Sequence, residues 1–521
     1  MLTLNLPSPD TALQHKVETR PKAVANWLDR LPFASPTDTA QQLVMALYGL
    51  NRHALGEDDR SALLALYRPV VARAAASLEA QLAESGVPPH AQQRQAGALL
   101  RELHIEHGIG YKQVLQALTQ RRFGRANPKR MAETVAQLLA ALRDLLAACE
   151  LTHTPAPAGT WQEMHQLYAY ARASNLADAA TDDAPSAAVA YCQALLIALA
   201  DPPHMGHAEL AGARLYLDKF AALAMLTTAP VAGHHGFTIR SDADAPPGHV
   251  PVAHTPGTLW LDTDALCRHL HETAVRLRSG EAPRRIGLPA GIESELAQML
   301  CKRLLRQWST GAQRAFRRFA TPGSTMQMVA GVSAIHRLLD GTPQAAPDEP
   351  DSLPIRDVET AHAAPIVVNA THWTVSNDSA SGLALSGTPN APLNLKVGDA
   401  LGLRADDAAA WSLGVIRWIR MRDARQVELG VERLSPQVQP VWVQPLRGQR
   451  KARPEAALFV PGVAALQQPD RLLLPRHLYQ IGMDADVWHP PHQYTLTFGR
   501  CVEQTPSFEL IEFSIFSDEP T

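Results

Sequence analysis

Trp373-Thr-Val-Ser-Asn-Asp-Ser-Ala-Ser-Gly-Leu-Ala-Leu385 carries an Asn377-x-Ser379-x-x-Gly382 step inside a run that alternates like a β-strand. Alternation with period two sends successive side chains to opposite faces of a sheet. Asn, Ser and Gly set into such a run mark a tight turn, or a point where the backbone comes close to a neighbour or a ligand. No other part of the chain has a spacing of polar residues that points to a ligand as well as to a fold.

Outward from this stretch, residues 365–444 read almost entirely as β. The expected strands are Pro365 to Val368, His372 to Ser376, Gly382 to Ser386, Ala400 to Leu403, Ser412 to Met421, Gln426 to Leu434 and Val441 to Gln444. Short, regularly spaced strands between turn residues predict a closed barrel, which also hides sheet edges. Beyond the basic joint Arg447-Gly-Gln-Arg-Lys-Ala-Arg-Pro454, the runs Tyr494-Thr-Leu-Thr-Phe498 and Phe508-Glu-Leu-Ile-Glu-Phe-Ser-Ile-Phe516 alternate again. They predict a second small β module.

Upstream, residues 20–228 follow a helical pattern. Leu63, Leu66, Tyr67, Val70, Val71, Ala74, Leu78 and Leu82 fall near an i, i+3, i+4, i+7 stripe, with Asp58 or Asp59 as the expected cap, Gly86 and Pro88 as the stop and Pro69 as a bend. Val135, Leu138, Leu142, Leu145 and Cys149 repeat the logic, and the region predicts an array of about eight helices without a fixed period. Between 229 and 340 the signal mixes. Gly236 to Arg240, Thr258 to Leu261 and Thr325 to Val329 read as strands, whereas 263–279 and 291–308 read as helices. The expected domains are 20–228 (α-helical), 229–340 (a mixed α/β module or a divergent barrel), 341–364 (a proline-rich linker), 365–446 (a β-barrel) and 455–519 (a C-terminal β module).

With 46% hydrophobic and 19% charged residues in 521, the chain has ample material for several cores. A net charge of -3 and a pI near 6.7 supply no field for collecting nucleic acid or an anionic membrane. Five dispersed cysteines (Cys149, Cys192, Cys267, Cys301, Cys501) fit a reducing compartment. The start of the chain lacks a basic-then-apolar leader, and nowhere do 18 uninterrupted apolar residues occur. A cytoplasmic location is expected.

Asn377-Asp-Ser-Ala-Ser-Gly382, followed by Val397-Gly-Asp-Ala, Trp411-Ser-Leu-Gly-Val-Ile-Arg-Trp418 and Val427-Glu-Leu-Gly-Val431, resembles a PilZ domain over about residues 365–444. The resemblance implies a six-stranded barrel that binds cyclic di-GMP. PilZ domains use an R-x-x-x-R pair ahead of the barrel and a [D/N]-x-S-x-x-G step on it, and Asn377, Ser379 and Gly382 match the second element. Where the arginine pair is usual, this chain has only Arg356, with Ser352 in its partner's place. The nearest true R-x-x-x-R is Arg314-Ala-Phe-Arg-Arg318, and 377 minus 318 leaves 59 positions to bridge. The implied ligand set is Arg314, Arg317, Arg318, Asn377, Ser379 and Gly382. A cyclic dinucleotide has two guanines and two phosphates, so guanidinium forks that stack on bases and meet phosphates suit it. The same three arginines also fit a solvated basic patch after a helix.

Other constellations point to structure. Arg417 and Arg420 read as outward strand residues alternating with core Val415 and Trp418, and Trp373, Trp411 and Trp442 as barrel packing. His104 with His107, His204 with His207, and His234 with His235 lack a third ligand, so no metal is expected. Arg121, Arg122, Arg125, Lys129 and Arg130 suit a solvated loop or a dock for an acidic partner. No nucleophile elbow, Walker loop, zincin helix or dinucleotide fingerprint occurs in its required context, so no enzyme is expected. The chain therefore reads as a multidomain α + β protein, a helical region followed by a small α/β module and PilZ-like antiparallel barrels. Its expected role is a cytosolic bacterial signalling protein that binds cyclic di-GMP, without other cofactor, and relays it to an unidentified protein partner. The alternative is a scaffold that keeps the barrel without the ligand and acts only by protein-protein contact.

Overall fold

A computed structural model describes residues 4–8, 17–120, 127–181, 184–248, 255, 257–289, 291–309, 319–320, 323–340, 370–379, 381–389, 393–423, 425–447, 450–451, 453–463, 467–489 and 492–515. The chain divides into two units, Met1–Ser85 with Pro89–Arg314, and Gly86–Pro88 with Ala315–Thr521.

The first unit holds α1 (Pro21–Leu28), α2 (Pro36–Arg52), α3 (Glu57–Leu82), α4 (Ala91–Thr119), α5 (Pro128–Leu151), α6 (Thr160–Ala173), α7 (Ala187–Leu199) and α8 (His207–Phe220). Among the described residues these are the eight α-helices of residues 20–228, as the periodicity predicts. Helix α4 packs against α2, α3 and α5. The stripe on α3 is buried at Leu63, Tyr67, Val71, Ala74, Leu78 and Leu82, while Pro69 lies exposed on the opposite face and the helix runs through it. Neither Asp58 nor Asp59 is the cap; Gly56 is, and both acids sit in the first turn, where they favour the positive end of the helix dipole.

The strands β1 (Met225–Thr227), β2 (Gly236–Ile239) and β3 (Leu259–Asp262) form an antiparallel sheet in the order β1-β3-β2, beside the packed pair α9 (Asp264–Arg278) and α10 (Ser294–Ser309). Phe237, Ile239, Leu261, Leu270 and Trp308 join the same apolar core as the eight helices. The divergent-barrel reading of 229–340 is thus corrected. Its described strands before residue 310 make an open three-stranded sheet that buries one face on helices, and the later strands go elsewhere.

In the second unit, β4 (Phe319–Ala320) and β5 (Thr325–Ala330) precede α11 (Val332–Asp340). Then follow β6 (Thr371–Ser379), β7 (Gly382–Gly387), β8 (Ala400–Ala405), β9 (Ser412–Met421) and β10 (Val427–Ser435). A ring β6-β5-β8-β9-β10-β7 closes through a β6–β7 pairing, with every pairing antiparallel. Leu383, Leu385, Leu401, Leu403, Ile416, Ile419 and Leu429 fill it. The strand expected at 365–368 and the linker at 341–364 lie outside the described residues.

A second barrel follows from β11 (Gln439–Arg447), β12 (Arg450–Lys451), β13 (Glu455–Val460), β14 (Arg471–Pro475), β15 (Asp484–His489), β16 (His492–Gln504) and β17 (Phe508–Ile515). Its ring is β11-β13-β14-β17-β16-β15, closed by β11–β15, with β12 turned back on the end of β11. Two expectations change here. The strand at 325–329, grouped by sequence with the mixed module, completes the first barrel, and the strand at 441–444, grouped with the first barrel, belongs to the second. Local alternation identifies a strand but carries no information about its hydrogen-bonding partner.

Gly331 takes φ of 93°, a left-handed turn that glycine adopts without strain, and its N–H bonds Ala400 O as the chain leaves β5 for α11. The helix then places Val332 and Ile335 in a core with Ala400, Leu413 and Val415 of the first barrel and Leu458, Leu473 and Phe508 of the second. The two barrels and α11 therefore share apolar packing.

Candidate functional site

Asn377 and Ser379 end β6 and Gly382 begins β7, so the motif forms the tip of one hairpin. Ser379 pairs across it with Gly382, and Ser379 Oγ donates to Gly382 O at 2.8 Å, tying the turn. Between Val375 and Asn377 the register slips, a bulge that re-aims the residues following it. Gly382 is needed for close approach and not for a left-handed φ: a Cβ there would lie 2.4 Å from Val431 O on β10. Asn377 Oδ1 is buried without a hydrogen-bond partner. A carboxamide oxygen in that condition costs free energy until an N–H donor arrives, such as one on the edge of a base.

On the other side of β6, two short strands run in line. β5 pairs with Thr371 to Thr374, and β4 pairs with the motif itself, Phe319 opposite Asp378 and Ala320 opposite Asn377. Arg318 is the residue before Phe319, so the Arg314-Ala-Phe-Arg-Arg318 segment leads directly into a strand hydrogen-bonded to the Asn377 end of the barrel. That pairing sets Ala320, two positions after Arg318 in the sequence, opposite Asn377. Arg314, Arg317 and Arg318 themselves lie outside the described residues, as do Ser352 and Arg356 and, in the basic cluster, Arg121, Arg122 and Arg125.

A further guanidinium stands at this hairpin. Arg433 on β10 donates from Nη1 to Asp378 Oδ1 at 2.7 Å and to Ser379 O at 2.7 Å, and from Nη2 to Asp378 Oδ2 at 3.1 Å. The hydrogen bonds and charge of Arg433 hold the Asp378 carboxyl below its ordinary range. Sequence reasoning did not select Arg433. Its one available signal was that β10 follows β9 in an antiparallel barrel, and that does not tell which β10 residue lies near β6.

Arg417 and Arg420 behave differently from each other. Arg417 occupies a bulge between Ile416 and Trp418, where it bonds Glu432 Oε2 at 2.5 Å and Glu503 Oε1 of β16 at 2.6 Å. The bulge also breaks the alternation expected there: Ile416 and Ile419 face the barrel core, while Trp418 is half-buried with its indole over Gly430. Arg420 is exposed, 5.6 Å from the Trp418 ring. Trp373 is fully buried, half-buried Trp411 meets Arg404, and Trp442 packs on His336 of α11.

Among the described residues no group of three potential ligands could hold a metal. His104 and His107 are buried in α4, and burial depresses both, His107 to about 3. Burial likewise pushes Cys149, Cys267 and Cys301 up to about 11 and Cys192 to about 12, which keeps them as inert thiols. No described helix is long and apolar enough to cross a membrane.

Residues 22–231 match the family described as the N-terminal domain of the cyclic-di-GMP receptor FimW. Residues 237–346 and 355–440 match its middle PilZ domain, and 441–516 its C-terminal β-barrel domain. The chain is 26% identical over 572 aligned positions to the cyclic-di-GMP receptor FimW of Pseudomonas aeruginosa, an alignment covering 98% of this chain and 93% of the relative. The first two of these families are described as domains of a receptor. No solved structure matches.

Proposed function

We propose that this protein, whose residues 237–346 and 355–440 match the middle PilZ domain of FimW, is a cyclic di-GMP receptor that passes its ligand state to a protein partner. The ligand is held by Arg314, Arg317 and Arg318 together with Asn377, Ser379 and Gly382. The observation that carries this reading is the β4–β6 pairing: Phe319, which follows Arg318 in the sequence, lies opposite Asp378, and Ala320 opposite Asn377, whose buried carboxamide oxygen has no partner. Arginines at that point suit phosphates and guanine acceptors, Asn377 a base N–H, and Gly382 a backbone packed too closely for any side chain. A helical domain at 20–228, a linker at 341–364 and a cytoplasmic location accompany this proposal, while the limits 229–340, 365–446 and 455–519 give way to a first barrel that takes in β5 and a second that begins at β11.

Calorimetric titration of the full chain with cyclic di-GMP tests it. Saturable binding is expected, weakened about tenfold or more by Arg314→Ala, which removes charge-assisted hydrogen bonds, and measurably by Ser379→Ala, which loosens the hairpin. Unchanged affinity in both variants rejects the site. A flat titration together with partner capture indifferent to the nucleotide gives the ligand-free scaffold.

A further inference from the structure

The middle residue of the Asn377-x-Ser379 step is an aspartate, and its carboxylate occupies a guanidinium. Arg433 reaches Asp378 from β10 as a two-pronged fork and adds a third bond to Ser379 O, all at the hairpin that carries the motif. Carboxylate, phosphate and the O6/N7 edge of guanine present the same paired acceptors to such a fork. Both side chains are 37% exposed, so the pair is open to exchange with a solute and is not locked in a core. Asp378 also stands opposite Phe319, the residue that follows Arg318, and is flanked by the unpartnered Asn377 oxygen. A negative charge at that place repels a dianionic ligand and at the same time occupies a cation suited to it.

We propose that Arg433 is a ligand-binding residue of the site and that Asp378 is its resident competitor, a carboxylate the nucleotide must displace. The inference rests on the cyclic di-GMP reading and sets how tightly that site binds. Displacement needs no strand movement: the Arg433 side chain turns from Asp378 to a phosphate or guanine edge while Ser379 keeps its bond to Gly382. The aspartate lowers affinity in two ways, by charge repulsion and by competition, and it discriminates against anions too weakly held to replace it.

Two substitutions predict opposite signs. Asp378→Asn keeps an acceptor for Ser379 N–H and removes the charge, so cyclic di-GMP should bind about fivefold tighter, the size of a half-exposed charge effect. Arg433→Ala should weaken binding about tenfold or more. In the double variant the gain from Asp378→Asn should shrink, because the residue it releases is gone. Titrations use the full chain, with thermal melts to show that each variant is folded. If the pair only staples the hairpin, both substitutions lower the melting temperature and weaken binding together, and that result overturns the proposal. Unchanged affinity in both, with Ser379→Ala still weakening binding, overturns it too and leaves the receptor reading intact. Binding seen only in Asp378→Asn supports it in its strongest form. No binding in wild type or in Asp378→Asn removes both.

Discussion

Gly382→Ala is the substitution for which the structure supplies a magnitude most directly. The added Cβ would stand 2.4 Å from Val431 O and 3.3 Å from Glu432 Cα, where ordinary contact begins at 3.4 Å. The first distance has to open by about 1 Å, and the obstacle is backbone, which cannot swing aside as a long side chain does. Moving β7 from β10 by that amount weakens one or two ladder hydrogen bonds beside Gly382 and Glu432, at about 1 kcal/mol each. Strain of about 1 kcal/mol adds to this, and the lower unfolded-state entropy of alanine returns roughly 0.5–1 kcal/mol. A net loss near 2 kcal/mol corresponds to a fall in Tm of about 4–8 °C for a unit of this size. Differential scanning calorimetry of wild type and variant reads it, with the exposed neighbour Ser381→Ala as the control that should shift by less than about 1 °C. Because the hairpin would open, cyclic di-GMP binding should weaken as well. A Gly382→Ala protein with unchanged Tm would refute the view that close approach is why glycine stands there.

Two further perturbations probe the scaffold. Ile335 is fully buried in the core shared by α11 and both barrels, so Ile335→Ala should cost about 2–5 kcal/mol in denaturant unfolding of the second unit, and a loss under about 1 kcal/mol would show that the helix is dispensable to it. In the first unit, burial, with neighbouring His104 second, holds His107 at about 3. The unfolded imidazole titrates near 6.5, so its contribution is complete above that pH and declines as acid drives protons onto the unfolded chain only. By pH 5 the loss from this residue is about 2 kcal/mol, and His107→Gln should flatten the dependence of Tm on pH between 7 and 5. An identical acid slope in the variant would remove His107 as its source.

Much of the fold was legible because it is written in local periodicity. The stripe on α3 and the alternation through Trp373 and Val375 on β6 each record which side of an element faces a core, and burial of apolar surface enforces that record. Where the local pattern was silent or failed, a remote residue was responsible. The start of α6 is capped by Asp244, which accepts from the N–H groups of Gly159, Trp161 and Gln162, and nothing near residue 160 foretells it. Trp418 leaves the core because Arg417 is extruded as a bulge to meet Glu432 and Glu503, the latter on a strand of the other barrel. Of the site, Asn377, Ser379 and Gly382 were visible as a spacing, whereas Arg433 was not, since its place beside Asp378 depends on the register of β10 against β7.

The amino-acid sequence by itself determined the helical first part, the β character of residues 371–515 and the motif that marks one hairpin tip, because these follow from side-chain order along a few turns or pleats. Only the tertiary structure decided that β5 and not β11 completes the first barrel, that β4 pairs with Asn377 and Asp378, and that Asp378 holds Arg433. Each is a pairing between residues tens of positions apart. Backbone hydrogen bonds are the same for every residue type, so their partners are selected by closure of the barrel and burial of its core, which no local stretch encodes.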